Sequence, residues 1–156
     1  MATPTFDLAM LLKLASHALE TELTASLNDL GISPRHYCVL AKASEADLTQ
    51  SQLAELASLD KTTMVVTVDE LERAGYAERR PSDTDRRARI IAVTPAGKQV
   101  VAKGRKIVDG VFDDVLGTLP ATVREPFVDG LSRLVDDRLS TPVPTERPVR
   151  RRSVRK

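Results

Sequence analysis

The chain has 156 residues, 42% of them hydrophobic and 29% charged, with a formal net charge of +1, which is enough for one cored domain and too little for two large lobes. No apolar run approaches the roughly 18 residues a membrane span requires, and the N-terminal MATPTFDLAMLLKLAS lacks a basic region and a small-residue cleavage site, so the expectation is a cytoplasmic protein without a membrane partner. A lone cysteine, Cys38, rules out an intrachain disulfide.

The first predicted helix opens at Thr3-Pro4 or Thr5 and carries Leu8, Leu12, Ala15, Leu19, Leu23, Leu27 and Leu30 at spacings of three and four until Gly31 stops it. Phe6, Met10, Leu11 and Leu14 make its first half apolar on other faces too, which calls for more than one neighbour. Ser33-Pro34 opens a second, short helix to about Ala43, with Tyr37 and Leu40 inward and Cys38 at the margin of that face. In TQSQLAELASL, Thr49 and Gln52 form a capping box, and Leu53, Leu56 and Leu59 give the inner face of a short third helix. Asp60 caps the fourth, DKTTMVVTVDELERAG, which Gly75 ends in the left-handed conformation. So tight a turn between two short helices makes a helix-turn-helix unit.

Within the fourth helix, Met64, Val68 and Leu71, with Thr67 beside them, form the inner side. Lys61, Thr62, Thr63, Val65, Val66 and Asp69 are then left outward, although a one-step rotation of the helix would bury one of the two valines instead. After Gly75 the period shortens, since YAERR and RARIIAVT are β-prone runs on either side of the polar PSDTDR, which is a hairpin. Arg79, Arg80, Arg86, Arg87 and Arg89 lie in or beside it. Beyond Pro95 a long helix carries Val100, Val101, Ile107, Val108, Val111, Phe112, Val115 and Leu119, and a last one Val123, Phe127, Leu131, Leu134 and Leu139. Pro126 removes a backbone donor, so this last helix is expected to start late or bend there. Three long helices around a small domain leave apolar surface uncovered in a monomer and favour a homodimer over a closed monomeric bundle.

The tail from residue 140 to 156 holds Arg147, Arg150, Arg151, Arg152, Arg155 and Lys156 against Glu146, six minus one or +5, which leaves +1 minus 5, or −4, for residues 1 to 139. With three prolines and little apolar surface, the tail is expected to be disordered and basic, either loosely attracted to nucleic acid or merely solubilising.

Taken in order, Leu53-Ala54, Asp60-Lys61-Thr62-Thr63, Leu71 with Gly75-Tyr76, Asp85 with Arg87, and Val93-Thr94 with Gly97 resemble the MarR/SlyA family of winged helix-turn-helix transcriptional regulators. The flanking helices fit that family's layout across residues 5 to 139. The resemblance implies a mainly α fold with a small β-hairpin wing: a winged helix-turn-helix at 33–94, a helical dimerisation region at 1–32 and 95–139, and the basic tail beyond. It implies a homodimer on double-stranded DNA, with the fourth helix in the major groove, Arg87 in the minor groove and Asp85 holding that arginine. The family often has threonine and arginine where this chain has Val65 and Val66, a departure that replaces hydrogen bonding to a base edge by contact with the C5-methyl of thymine. Lys61, Thr62 and Thr63 would supply polar contacts, and Arg79, Arg80, Arg86 and Arg89 would bind phosphates. The family often takes a small aromatic or phenolic ligand that releases DNA, for which Leu12, His17, Tyr37 and Cys38 are the candidate lining.

Chemistry finds little to stand on. There is no glycine-rich phosphate loop, no Cys/His pair at metal spacing and no nucleophile-base motif, so neither a cofactor nor an enzyme is expected. His17 and His36 fall on separate helices, and the adjacent pairs Asp113-Asp114 and Asp136-Asp137 point apart on theirs. Cys38, in the apolar stretch HYCVL with Arg35 as the only cation taken as a neighbour, is expected to be a protonated, inert thiol. The competing reading is an interaction module whose winged helix has lost specific DNA binding, suggested by Asp69, Glu70 and Glu72 in the fourth helix and by the acidic folded part.

Overall fold

The structure is a computed structural model and describes residues 7–141. Its elements are α1 (Leu8–Leu27), a 3-10 turn (Asn28–Leu30), α2 (Pro34–Glu45), α3 (Gln50–Leu56), α4 (Lys61–Arg73), β1 (Ala77–Pro81), β2 (Arg89–Val93), α5 (Pro95–Gly117) and α6 (Ala121–Asp136). The fold is mainly α with one antiparallel hairpin, a winged helix-turn-helix arrangement.

Caps set the helix ends. Asp7 accepts the Met10 N–H at 3.0 Å and caps α1 at Leu8, while the expected start at Thr3 or Thr5 lies outside the described residues. Ser33 and Thr49 each form a reciprocal capping box, with His36 and Gln52 at the third helical position. Gly75, at φ 76°, ends α4 as the Tyr76 N–H returns to the Leu71 carbonyl at 2.9 Å.

One core joins α2 (Val39, Leu40, Ala43), α3 (Leu53), α4 (Met64, Val68, Leu71), the hairpin (Ala77, Ile91) and α5 (Val101). Burying each of the larger of these side chains contributes roughly 1.5–3 kcal/mol. A second cluster packs Leu27 and Ile32 against Val108, with Tyr37 at its edge. β1 and β2 pair in register from Ala77 opposite Val93 to Pro81 opposite Arg89. On its other edge β2 takes a bridge from the segment before α3, the Ile91 N–H donating to the Leu48 carbonyl at 3.1 Å. The wing is therefore anchored at its root to the helix-turn-helix.

Three expectations are corrected. Leu56 is 54% exposed, because a step of three from Leu53 rotates it off the inner face while Ala57, four residues on, packs against the core instead. In α2 the fully buried residue beside Leu40 is Val39, and Tyr37 and Cys38 are only half-buried. α6 does not start late: it runs from Ala121 through Pro126, whose missing N–H leaves the Thr122 carbonyl without its usual helical donor.

The described chain forms two compact units, one reaching Asp114 and one starting at Val115. In the first, α1 buries only Leu27 and leaves Leu8, Met10, Leu11 and Leu14 exposed. In the second, Arg124 closes the turn before α6 by donating to the Leu119 carbonyl at 3.0 Å and the Gly117 carbonyl at 3.1 Å. No residue of α6 is buried, and Val123, Phe127, Val128, Leu134 and Val135 are exposed. No helix among the described residues is long and apolar enough to cross a membrane. The basic tail from residue 142 onward lies outside the described residues.

Candidate nucleic-acid interface

The inner side of α4 is fixed by Met64, Thr67 and Val68 at 0% exposure and Leu71 at 1%. Thr67 tolerates this burial because its hydroxyl donates to the Thr63 carbonyl at 2.7 Å. Rotating the helix would drag these side chains into water, so neither valine is buried: Val66 is 46% exposed and Val65 half-buried. Lys61 and Thr62 are exposed on the first turn.

Asp60 organises that turn, with Oδ1 accepting the Thr63 N–H at 2.8 Å and Oδ2 the Thr63 hydroxyl at 2.7 Å. The Thr63 hydroxyl proton is thereby committed, leaving Thr63 only its lone pairs for a partner. These bonds, the backbone one first, hold the Asp60 carboxyl below the usual carboxylate range. A folded-state pKa that is depressed adds stability above the unfolded value of about 3.9 and loses it as pH falls below that. We expect Asp60→Asn to lower the melting temperature at pH 6 and the gap to close on acidification below about pH 4, read by thermal melts of both proteins. A gap as wide at pH 3 as at pH 6 would mean the charge is not the stabilising element.

The acidic second half of α4 is not left facing solvent unpaired. Glu70 meets the His36 Nε2 at 2.8 Å and the Arg35 Nη2 at 3.4 Å. The His36 hydrogen bond is the main cause that holds the Glu70 carboxyl below its usual range, against an opposing effect of burial. The Ser33 N–H donates to His36 Nδ1 at 3.2 Å, which assigns the ring proton to Nε2, facing Glu70. On the other flank, Arg79 of β1 ion-pairs with Asp69 at 2.6 Å and with Glu72.

The five wing arginines therefore divide. Arg79 is held inside the domain, and Arg80 pairs with Glu78 on its own strand while staying 65% exposed. Arg86, Arg87 and Arg89 are exposed and make no ion pair among the described residues. The tip that carries them is a bonded turn: the Ser82 hydroxyl accepts the Thr84 and Asp85 N–H groups, both at 3.3 Å, and the Ala88 N–H donates to the Asp85 carbonyl at 3.0 Å. Asp85 differs from its expected part, since its carboxylate accepts the main-chain N–H of Arg87 at 2.9 Å and makes no bond to the guanidinium. It shapes the loop under Arg87 and leaves that side chain free to reach out.

Sequence reading missed Gln50, His36 and the acids they accompany as parts of this arrangement. Glu72 and Arg79 are seven residues apart, but α4 ends at Arg73 and the Gly75 turn lies between them, so no helical spacing applies and nothing in the sequence pairs them.

Of the four candidate ligand residues, one lines a groove that the other three do not share. His17 lines an open groove along α1 with Glu20, Thr21, Thr24, Ala25 and Asn28, which contains none of Leu12, Tyr37 or Cys38. Tyr37 instead lies against Gly104 of α5. Burial pushes the Cys38 thiol up, and the opposing cation is Lys42, one helical turn on, while the Arg35 guanidinium turns to Glu70. Among the described residues no His, Cys, Asp and Glu cluster could hold a metal ion.

Residues 30–88 match the family model described as the MarR family. The chain is 32% identical over 113 residues, 72% of its own length and 68% of the relative's, to a protein of Thauera aromatica assigned as the transcriptional regulator of the hcr operon. Among solved structures, a MarR-family transcriptional regulator from Rhodococcus sp. RHA1 is 26% identical and superposes with a TM-score of 0.78, covering 86% of this chain and 96% of that one. CouR from Rhodococcus jostii RHA1, solved bound to p-coumaroyl-CoA, is 26% identical with a TM-score of 0.76 over 94% of this chain and 100% of its own.

Proposed function

The chain belongs to the MarR family of DNA-binding transcriptional regulators, and from that premise we propose that it is a repressor that binds a pseudo-palindromic operator as a homodimer. The observation that supports this most is the pairing of the exposed first two turns of α4, bearing Lys61, Thr62 and Val66, with a wing tip whose Arg86, Arg87 and Arg89 have no carboxylate partner among the described residues. The first turns of α4 enter the major groove, and half-sites lie roughly one helical turn, about 34 Å, apart. The Val66 methyls press against a thymine methyl, with Val65 flanking. Lys61, Thr62 and the lone pairs of Thr63 serve polar contacts. Arg87 goes into the minor groove, while Arg86, Arg89 and the exposed Arg80 meet phosphates.

Dimerisation is supported by the apolar side chains that each compact unit leaves uncovered, on α1 in one and on α6 in the other. Release by a small aromatic or phenolic ligand is supported by the ligand that CouR carries, and it requires that the ligand favour one dimer geometry over the other. The interaction-module reading loses one of its two motives, because Asp69, Glu70 and Glu72 are each ion-paired within the chain; the net −4 of residues 1–139 is the other.

The test is selection of bound duplexes from a random pool by the purified protein and by Val66→Ala. An inverted repeat containing thymines should be enriched, and Val66→Ala should relax preference at one thymine per half-site by roughly three- to fivefold, the value of losing about one methylene-sized contact. No enrichment at low salt would defeat the DNA reading. Enrichment without a thymine opposite Val66 would defeat its assigned part.

A further inference from the structure

Arg79 stands on the first wing strand, yet its polar atoms turn toward the helix-turn-helix. Its Nε donates to Gln50 Oε1 of α3 at 3.1 Å. Its Nη2 pairs with Asp69 Oδ1 at 2.6 Å and reaches the Val65 carbonyl at 3.4 Å, and its Nη1 bonds Glu72 Oε2. The Arg79 main-chain N–H donates to the other oxygen of the same carboxylate, Glu72 Oε1, at 2.7 Å. The side chain is 23% exposed.

Val65, Asp69 and Glu72 follow one another at steps of four and three, so they form a single stripe along one flank of α4. One planar guanidinium bridges two turns of that stripe, a geometry that a lysine ammonium cannot reproduce. The stripe runs beside Val66, which ties the pose of the reading face to the root of the wing. It also joins two carboxylates to a cation: without Arg79, Asp69 and Glu72 would present two unbalanced negative charges on the helix that approaches the phosphates.

We infer that Arg79 is a positioning residue for DNA recognition and not a DNA ligand, acting by clamping α4 to the wing and to α3 and by offsetting one of the two negative charges of Asp69 and Glu72. This rests on the DNA-binding reading above.

The experiment measures affinity for the selected operator as a function of salt, for wild type, Arg79→Lys, Arg79→Met and the triple variant Arg79→Met/Asp69→Asn/Glu72→Gln. Both single variants are expected to weaken binding at least tenfold with the salt slope unchanged, Arg79→Met more than Arg79→Lys, and the triple variant to return to the level of Arg79→Lys, because it no longer carries unpaired acids but still lacks the clamp. A phosphate contact gives the opposite pattern: Arg79→Lys retains affinity, Arg79→Met lowers the slope by about one per half-site, and the triple variant stays weak. That pattern, or wild-type affinity in both single variants, overturns the inference. If Arg79→Met fails to fold, Arg79→Lys and the triple variant still separate the two patterns. Absence of operator selection by wild type would show in the first titration, and would remove the DNA reading and this inference together.

Discussion

Gly97→Ala is expected to destabilise the protein by about 3 kcal/mol or more, the upper end for overpacking a close contact, which corresponds to a fall in melting temperature of roughly 10 °C for a chain of this size. A Cβ at Gly97 would lie 2.1 Å from the Tyr76 carbonyl oxygen, 2.8 Å from Val93 Cγ1 and 3.0 Å from the Tyr76 carbonyl carbon. Two of these are backbone atoms that cannot swing aside. The Tyr76 oxygen is also held by the Thr94 N–H at 3.0 Å, while the Thr94 hydroxyl donates to the Gly75 carbonyl at 2.6 Å and accepts the Gly97 N–H at 3.1 Å. Relieving the clash means lifting the first turn of α5 off the end of α4 and breaking that set of bonds. Gly104→Ala is the internal comparison, because its Cβ would meet the Tyr37 ring at 2.8 Å, a side chain that can tilt, so a smaller loss is expected. Thermal melts of the two variants decide the matter; a Gly97→Ala melt within about 2 °C of wild type would mean the joint between wing and α5 is looser than its bonds indicate.

The same glycine shows what a sequence carries and what it withholds. Thr94 and Gly97 were legible as a spaced pair, but the close approach to Tyr76 that demands a glycine is a long-range contact with no local signature. Elements with end signals were legible: Ser33, Thr49 and Asp60 are caps in the structure as in the sequence, and Gly31 and Gly75 take positive φ. The facing of α4 was legible too, because four inner residues over-determine a helix rotation that a single valine does not. Where a pattern was short it misled, as with Leu56 in the seven-residue α3, which has too few turns to define a stripe.

Side-chain charge was the least legible property. Counting formal charges made the second half of α4 look repulsive to DNA and the wing uniformly attractive. The structure moves Arg79 from the second group to cancel part of the first, and His36, which the sequence offered no reason to pair with an acid of α4, meets Glu70 on the opposite flank. Partner choice in a folded chain depends on which strand crosses which helix, and composition does not contain that information.

Arg87→Ala is expected to weaken binding to the operator by roughly ten- to a hundredfold per arginine, about 1–3 kcal/mol for a specific groove contact, while leaving folding and subunit association unchanged. The side chain is exposed and pairs with no carboxylate among the described residues, so its removal leaves no buried group unpaired and opens no cavity. Its backbone stays in place because the bond at that position runs from the Arg87 N–H to Asp85, which alanine keeps. Asp85→Ala should therefore act through loop shape and lose less affinity than Arg87→Ala; were Asp85 instead holding the guanidinium, the two would lose alike. An arginine seated in a narrow minor groove feels a stronger negative potential than one on an open phosphate. The loss should accordingly be larger on operators with A·T-rich flanks than on G·C-rich ones. Anisotropy titrations on both operator types, with sedimentation to follow association, read all three expectations. An Arg87→Ala protein that binds within twofold of wild type on A·T-rich flanks would take the wing out of recognition and leave α4 to account for specificity alone.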